Sequence, residues 1–366
     1  MTREIGSLSD KQIKKLIKEN SIFDKNALKY ITVGPASIDI STSTEIYRIE
    51  KNIIPKPNQK IRDLLNEMGA VKHDNVNPLE KEVQYLCYIG KINLPKEIYS
   101  YGNAKSSTGR VDVHVRLLAD YTHTYDTLTS GEKEFWLHIT PHSFSVICPE
   151  NTALLQIRLF SGDARLKVEE VKDLNNKQKN NQKYFSYTKI NEISKNITWE
   201  KYSDVRGHDI LLSLNVPQKG IVGYKARKTN KIINLGKMNH NASDFFEAIA
   251  GDGSGKLELE KNAFYILSTR EYINIPENLA GEMVANDTRL GEFRTHYAGF
   301  FDPGFSGEGV LEVRPQEDIA FWHGQPMVPF RLEKMSELPE KSYKIGHNYY
   351  GQKGPKLAKF FKLNKK

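Results

Sequence analysis

Residues 297–315 read YAGFFDPGFSGEGVLEVRP, and residues 121–141 read YTHTYDTLTSGEKEFWLHITP. Tyr121-x-x-x-x-Asp126 matches Tyr297-x-x-x-x-Asp302, SGE at 130–132 matches SGE at 306–308, and LHITP at 137–141 matches LEVRP at 311–315. Upstream, INLP at 92–95 is answered by INIP at 273–276, so order is kept and the offset stays between 174 and 181 residues. Several ordered matches at nearly constant offset point to an internal duplication. A chain of 366 residues is long enough for two units that each bury a core.

Outside these stretches the sequence is written in short apolar or alternating runs: ASIDIST, EVQYLCYIG, FSVICPE, ALLQIRLF, DILLSLNV, FYILST and GVLEVRP. They are rich in β-branched and aromatic residues and punctuated by Gly, Pro and Asn, which predicts strands and a mainly β fold. The exception is the start, where Ser7-Leu8-Ser9-Asp10 can cap a short helix and Ile13, Leu16 and Ile17 fall at helical spacing. The expected division is a first repeat over 1–170, a Lys- and Asn-rich polar linker or insertion over 171–200, a second repeat over 201–335 and a tail over 336–366.

Composition narrows the function. The formal net charge is +8, but the lysines are scattered or gathered in KDLNNKQKNNQK and the last dozen residues, without interleaved aromatics for base stacking. That pattern favours a solvated surface and a small polyanion such as a triphosphate over a polynucleotide partner. No apolar run reaches the 18 or so residues a membrane span needs, and MTREIGSLSDKQIKKLIKEN lacks the apolar core of a secretory signal, so a cytoplasmic protein without a membrane partner is expected. The terminal KLAKFFKLNKK reads more economically as a tail with a solvated end than as a membrane-surface helix. The two cysteines, Cys87 and Cys148, have no CxxC partner and read as buried structural thiols.

Two segments carry chemistry. Lys105-Ser106-Ser107-Thr108-Gly109-Arg110 offers hydroxyls, backbone amides and flanking cations, a donor set suited to phosphate oxygens, although Ser-Ser-Thr-Gly is also an ordinary turn. The corresponding VANDTRLGEF of the second copy lacks the paired serines and keeps only Arg289 as a match for the arginine. Conversely, the second copy carries Glu312 where the first has His138. Alternation puts Glu312 on the strand face opposite Leu311 and Val313, which on an open sheet faces solvent. His296 and Tyr297 read as packing residues. The losses in the two copies are complementary, which predicts one composite site joining the first copy's KSSTGR to the second copy's Asp302 and Glu312, within a chain or between chains.

KSSTGR, HYAGFFDPGFSG, VLEV and the tail YYGQKGPKLAK, together with the opening LSDKQI and GPASIDI, resemble the ordered motifs of the dCTP deaminase family, in its long duplicated bacterial form. The resemblance implies two tandem dUTPase-like repeats, each a β-barrel or distorted jelly roll, with few helices beyond the first. It implies that Lys105, Ser106, Ser107, Thr108, Gly109 and Arg110 hold the triphosphate of dCTP, that Asp302 faces the deoxyribose, and that Ala298, Val310, Leu311 and Glu312 surround the base. Gln352 and, at a different spacing, Tyr343 would contact the nucleotide from a tail that closes over the site, with Asn348 standing at a position that is basic in the family. The family forms its sites across subunit boundaries, so a homo-oligomer is expected, a trimer of two-repeat chains ahead of a monomer.

Deamination at C4 of cytosine needs an activated water and protons delivered to N3 and to the leaving amine. One carboxylate can do this work in succession, and Glu312 is the expected catalytic residue, with Ser106 and Arg110 stabilising the water and developing charge. The zinc alternative uses H-x-E and P-C-x-x-C motifs, and this sequence contains neither H-x-E nor CxxC. No protein metal ligands and no catalytic cofactor are expected, only Mg2+ carried with the triphosphate. The product would be dUTP, feeding dUMP and dTMP synthesis. A dUTP diphosphatase using Asp302, a bifunctional enzyme, and a non-catalytic nucleotide-binding module remain alternatives.

Overall fold

The strand Ser306–Pro315, which carries LEVRP, runs antiparallel between Tyr265–Asn274 and Phe293–Thr295. Gly131–Pro141, which carries LHITP, runs antiparallel between Gln84–Leu94 and Val113–Ala119 in the same way. The second layers match as well. Ala153–Ser161 lies between Ile38–Ser41 and Ile98–Ala104, and Pro326–Lys334 lies between Asp209–Ser213 and Leu279–Met283. The computed structural model describes residues 4–20, 22–171, 185–187, 209–284, 290–295, 298–344 and 347–362. Over these residues the fold is mainly β, and the matching strand orders show the duplication in three dimensions.

Alternation explains how each repeat is filled. Phe135, Leu137 and Ile139 point into the main core, while Trp136 points to the other face and packs with Ile61, Leu64 and Met68 under a short helix, Ile61–Leu64. Leu311 and Val313 likewise enter the second core. The N-terminal helix Asp10–Asn20 buries Ile13 and Leu16 as its spacing predicts. A reciprocal cap starts it: Ser9 N–H donates to Gln12 Oε1 at 3.0 Å, and Gln12 N–H donates to Ser9 Oγ at 3.4 Å. Cys87 and Cys148 are free and buried.

The repeats share a seam. Val146–Ile147 pairs in parallel with Ile233–Asn234. Phe144 of the first repeat meets Phe245 and Phe246 of the second at ring-centroid distances of 5.4 and 5.3 Å. Elsewhere along the seam, residues in equivalent register meet their own counterparts: Asn103 donates to Glu282 Oε1 at 3.1 Å, Arg294 meets His114 at 2.6 Å, and Arg158 pairs with Glu333. Coincidence of equivalent positions locates the rotation axis that relates the repeats. Arg158 is fully buried there and also holds Glu282 at 2.8 Å, so one guanidinium serves two carboxylates, and burial with the Glu282 charge raises the Glu333 pKa against the pull of Arg158.

Three boundaries differ from the sequence expectation. The second unit takes over at about residue 164 instead of 201, because Leu166 N–H bonds Leu332 O at 3.0 Å and Leu166 and Val171 join the second core. A strand, Phe185–Tyr187, lies inside the stretch expected as linker and pairs with Tyr265–Asn274, while residues 172–184 and 188–200 of that stretch lie outside the described residues. The tail is anchored before its end: Leu357, Ala358 and Phe360 are buried in the shared core and Phe361–Lys362 pairs with His240–Asn241, while the Lys362 side chain is exposed.

Candidate active site

Lys105 caps a single helical turn, Ser106–Gly109, that follows the strand Ile98–Ala104. The turn presents its residues toward the strand Ser306–Pro315 of the other repeat. Gly109 makes the approach close: a Cβ there would sit 2.5 Å from Glu312 Cδ and overlap both carboxylate oxygens. A side chain at this position would have to displace the Glu312 carboxylate. The two complementary halves therefore meet within one chain.

A cavity of about 580 Å3 occupies this junction, a size suited to a nucleotide. The first repeat lines it with Asp39, Lys105, Ser106, Ser107 and Arg110, and the second with Ala298, Phe300, Asp302, Val310 and Glu312. Glu312 is 2% exposed, so the solvent-facing reading from alternation fails because the first repeat covers that face. Its Oε2 accepts the Ala298 N–H at 3.2 Å. Leu311 and Thr108 are buried off the cavity wall, Leu311 because alternation turns it into the second core. Arg289, His296 and Tyr297 lie outside the described residues.

At one side of the cavity the Lys105 ammonium is 2.5 Å from Asp39 Oδ2. Asp302 lies close to this pair. Burial pushes its carboxyl up to about 7, Lys105 opposes the shift, and the Asp39 charge adds to it. Asp302 accepts a backbone hydrogen bond from Ala36, while its Oδ1 is buried without a partner among the described residues. Asp39 belongs to GPASIDI but carried no assigned role in the sequence. Its counterpart Asp209 is held by Arg331 at 2.9 and 3.0 Å, whereas Asp39 faces Gln156 in the equivalent register and is left for Lys105.

The tail forms the remaining wall with Tyr343, His347, Asn348, Tyr349, Gln352 and Lys359. Gln352 docks on the catalytic-candidate strand: its Nε2 donates to Glu308 O at 2.6 Å, and its O accepts Glu308 N–H at 2.9 Å. Its Oε1 accepts from Arg110 Nη2 at 3.1 Å, and Arg110 Nη1 donates to Lys356 O at 2.9 Å. Tyr349, which sequence reasoning missed, lies 3.9 Å beneath the Arg110 guanidinium, and its hydroxyl is 2.9 Å from Ser107 Oγ. Burial lowers the Arg110 pKa, opposed by Tyr349 and Glu312. Burial pushes the Tyr343 phenol up to about 12, and its oxygen accepts Tyr349 N–H at 3.2 Å.

The first copy's version of the carboxylate strand is inert by comparison. His138 is 7% exposed, bonds Gln84 Oε1 at 3.0 Å and stacks on Tyr125. Burial, with Arg116 and His142 nearby, lowers its pKa to about 4, so it is neutral at pH 7.

Fold and site together define a two-repeat β protein in which a phosphate-type donor loop of one repeat closes on a buried carboxylate of the other. Comparison with known proteins places it further. Residues 4–163 match the family model of the 2'-deoxycytidine 5'-triphosphate deaminase N-terminal domain, and residues 186–361 match that of its C-terminal domain. A solved structure of 2'-deoxycytidine 5'-triphosphate deaminase from Agrobacterium tumefaciens superposes with a TM-score of 0.80 at 30% identity, covering 92% of this chain and 98% of that one. The chain belongs to the dCTP deaminase family. Relatives called "dCTP deaminase, dUMP-forming" include one from Parafrankia sp., 34% identical over 126 residues, and one from Corynebacterium glutamicum, 37% identical over 117 residues. These matches take in 32% and 30% of this chain and span 63% and 61% of the two relatives' lengths. Among the described residues no helix is long and apolar enough to cross a membrane.

Proposed function

We propose that the chain hydrolytically deaminates dCTP to dUTP and ammonia at the cavity between its repeats. The observation that carries this reading is the burial of Glu312 directly against Gly109 of KSSTGR, which brings a carboxylate and a phosphate-binding loop to one cavity. In the proposed reaction Glu312 takes a proton from water as its oxygen attacks C4 of cytosine. It then passes protons to N3 and to the amine, which leaves as ammonia. Ala298 N–H fixes one carboxylate oxygen during this work. Ser106 and Arg110 orient the water and stabilise charge on the tetrahedral intermediate, and Lys105 and Ser107 hold phosphate oxygens. Asp302 faces the deoxyribose, and Mg2+ arrives with the triphosphate and takes no part at the base.

The sequence lacks the H-x-E and CxxC ligands of zinc deaminases, which supports a carboxylate mechanism. A second reading, in which dUTP is then hydrolysed to dUMP and pyrophosphate, is favoured by the dUMP-forming relatives. Asp302 is the carboxylate available for that step. Ammonia and pyrophosphate release from dCTP and from dUTP, with and without chelator, separates the readings. Ammonia alone supports the first and both products support the second. Pyrophosphate without ammonia from dCTP refutes deamination.

We take the composite site to form within one chain, where Gly109 and Glu312 already meet, whatever number of chains assemble.

A further inference from the structure

Three cationic side chains face the cavity: Lys105, Arg110 and Lys359. Two are engaged. Lys105 is paired with Asp39, and Arg110 gives Nη1 and Nη2 to Lys356 O and Gln352 Oε1 and its face to Tyr349, with its Nε–H left without a partner among the described residues. Among the described residues, Lys359 has no hydrogen-bonded or ion-paired acceptor for its ammonium. Its backbone is nevertheless fixed. Ala358 and Phe360 on either side are buried, Lys359 N–H donates to Tyr349 Oη at 3.3 Å, and the next two residues pair with His240–Asn241. This anchoring delivers the side chain into the cavity instead of leaving it on a loose terminus. Asn348, at the tail position where a basic residue was expected, is neutral, and its carbonyl is taken by Lys356 Nζ at 2.8 Å.

We infer that Lys359 is the tail's phosphate-binding residue, pairing with the terminal phosphates of a nucleoside triphosphate across the cavity from Lys105. The inference rests on the reading that the site takes a nucleoside triphosphate. Burial and the nearby Lys105 charge both lower the Lys359 pKa, with Asp39 acting the other way, so two cations confront each other at the place an anion would relieve. An ammonium that is already positioned, with the Phe360 ring 5.7 Å from it and no acceptor among the described residues, gives up little on meeting phosphate.

The test is calorimetric titration of dCTP and of dCMP, both with Mg2+, into Glu312→Gln protein and into the same protein carrying Lys359→Gln, Lys359→Met or Lys359→Arg. Loss of one charge-assisted contact predicts that Lys359→Gln weakens dCTP binding roughly ten- to a hundredfold while dCMP changes by less than about threefold. Lys359→Met keeps the apolar stem and should show the same selective loss, and Lys359→Arg should recover most of it. Equal losses for dCTP and dCMP, or no loss for either, overturn the inference. A wild-type chain that binds dCTP yet releases no ammonia from it sinks the deaminase reading alone, since the titrations still decide the role of Lys359.

Discussion

Glu312 and Gly109 meet where the two repeats face each other, and each makes a prediction of its own. Glu312→Gln preserves shape and removes the base, so kcat for ammonia release should fall by about 10³-fold while dCTP affinity stays within a few-fold. Turnover close to wild type would remove Glu312 from catalysis. Gly109→Ala places a methyl group where the Glu312 carboxylate lies. It should reduce kcat at least tenfold with the loop still folded, a displacement of order 1 Å being enough for such a loss. Asp302 adds a pH dependence. Its pKa of about 7 in the folded chain exceeds the roughly 3.9 of an unfolded Asp, so the folded state binds the extra proton between those values. The stability it contributes is full below about pH 4 and is lost as pH rises through about 7. Thermal denaturation of Asp302→Asn should lack this part of the decline, and an unchanged slope would show that the proton resides elsewhere. These residues were only partly legible in the sequence. Glu312 stood out as the place where the copies differ, but a lone glutamate on an alternating strand reads as solvent-facing until the covering surface is known.

The tail is the element whose behaviour the structure changes most. Gln352 bridges to Gly307, Tyr349 lies under Arg110, and Phe361 packs on Phe245 and Phe246 at 5.6 and 5.4 Å. It forms a wall of the cavity with apolar anchors. Tyr349→Phe keeps the ring under the guanidinium and loses the hydroxyl contact to Ser107, and should raise the KM for dCTP by a few-fold. Tyr349→Ala removes both and should raise KM by tenfold or more. If the two variants matched wild type in KM, Tyr349 would be packing only. GQKGP marked this segment in the sequence. Tyr349 did not stand out, because nothing in a tyrosine pair shows which ring will meet an arginine 239 positions earlier. The strand Phe185–Tyr187 escaped for a similar reason: a three-residue strand in Lys- and Asn-rich surroundings is decided by its partner, Tyr265–Asn274, and has no period of its own.

At the scale of the molecule, the placement of both half-sites in one chain has a direct test. Mixing Ser106→Ala chains with Glu312→Gln chains should restore no activity, because every cavity keeps one defective half. Recovery of a substantial fraction of wild-type turnover would show that the sites form between chains.

The duplication, the β class and the two chemical half-motifs were determined by the sequence itself, since repeated motifs, strand periodicity and turn residues are local signals. So was the complementarity of the losses, Ser-Ser against Ala-Asn and His138 against Glu312. Tertiary structure alone decided that the halves close within one chain, that the face of Glu312 is covered by the first repeat, and that Asp302 sits beside a Lys105–Asp39 pair. These depend on which surfaces are brought together. Burial, charge pairing and the room left by Gly109 arise from contacts between residues far apart in the chain, 66 positions for Lys105 and Asp39, which no local pattern encodes.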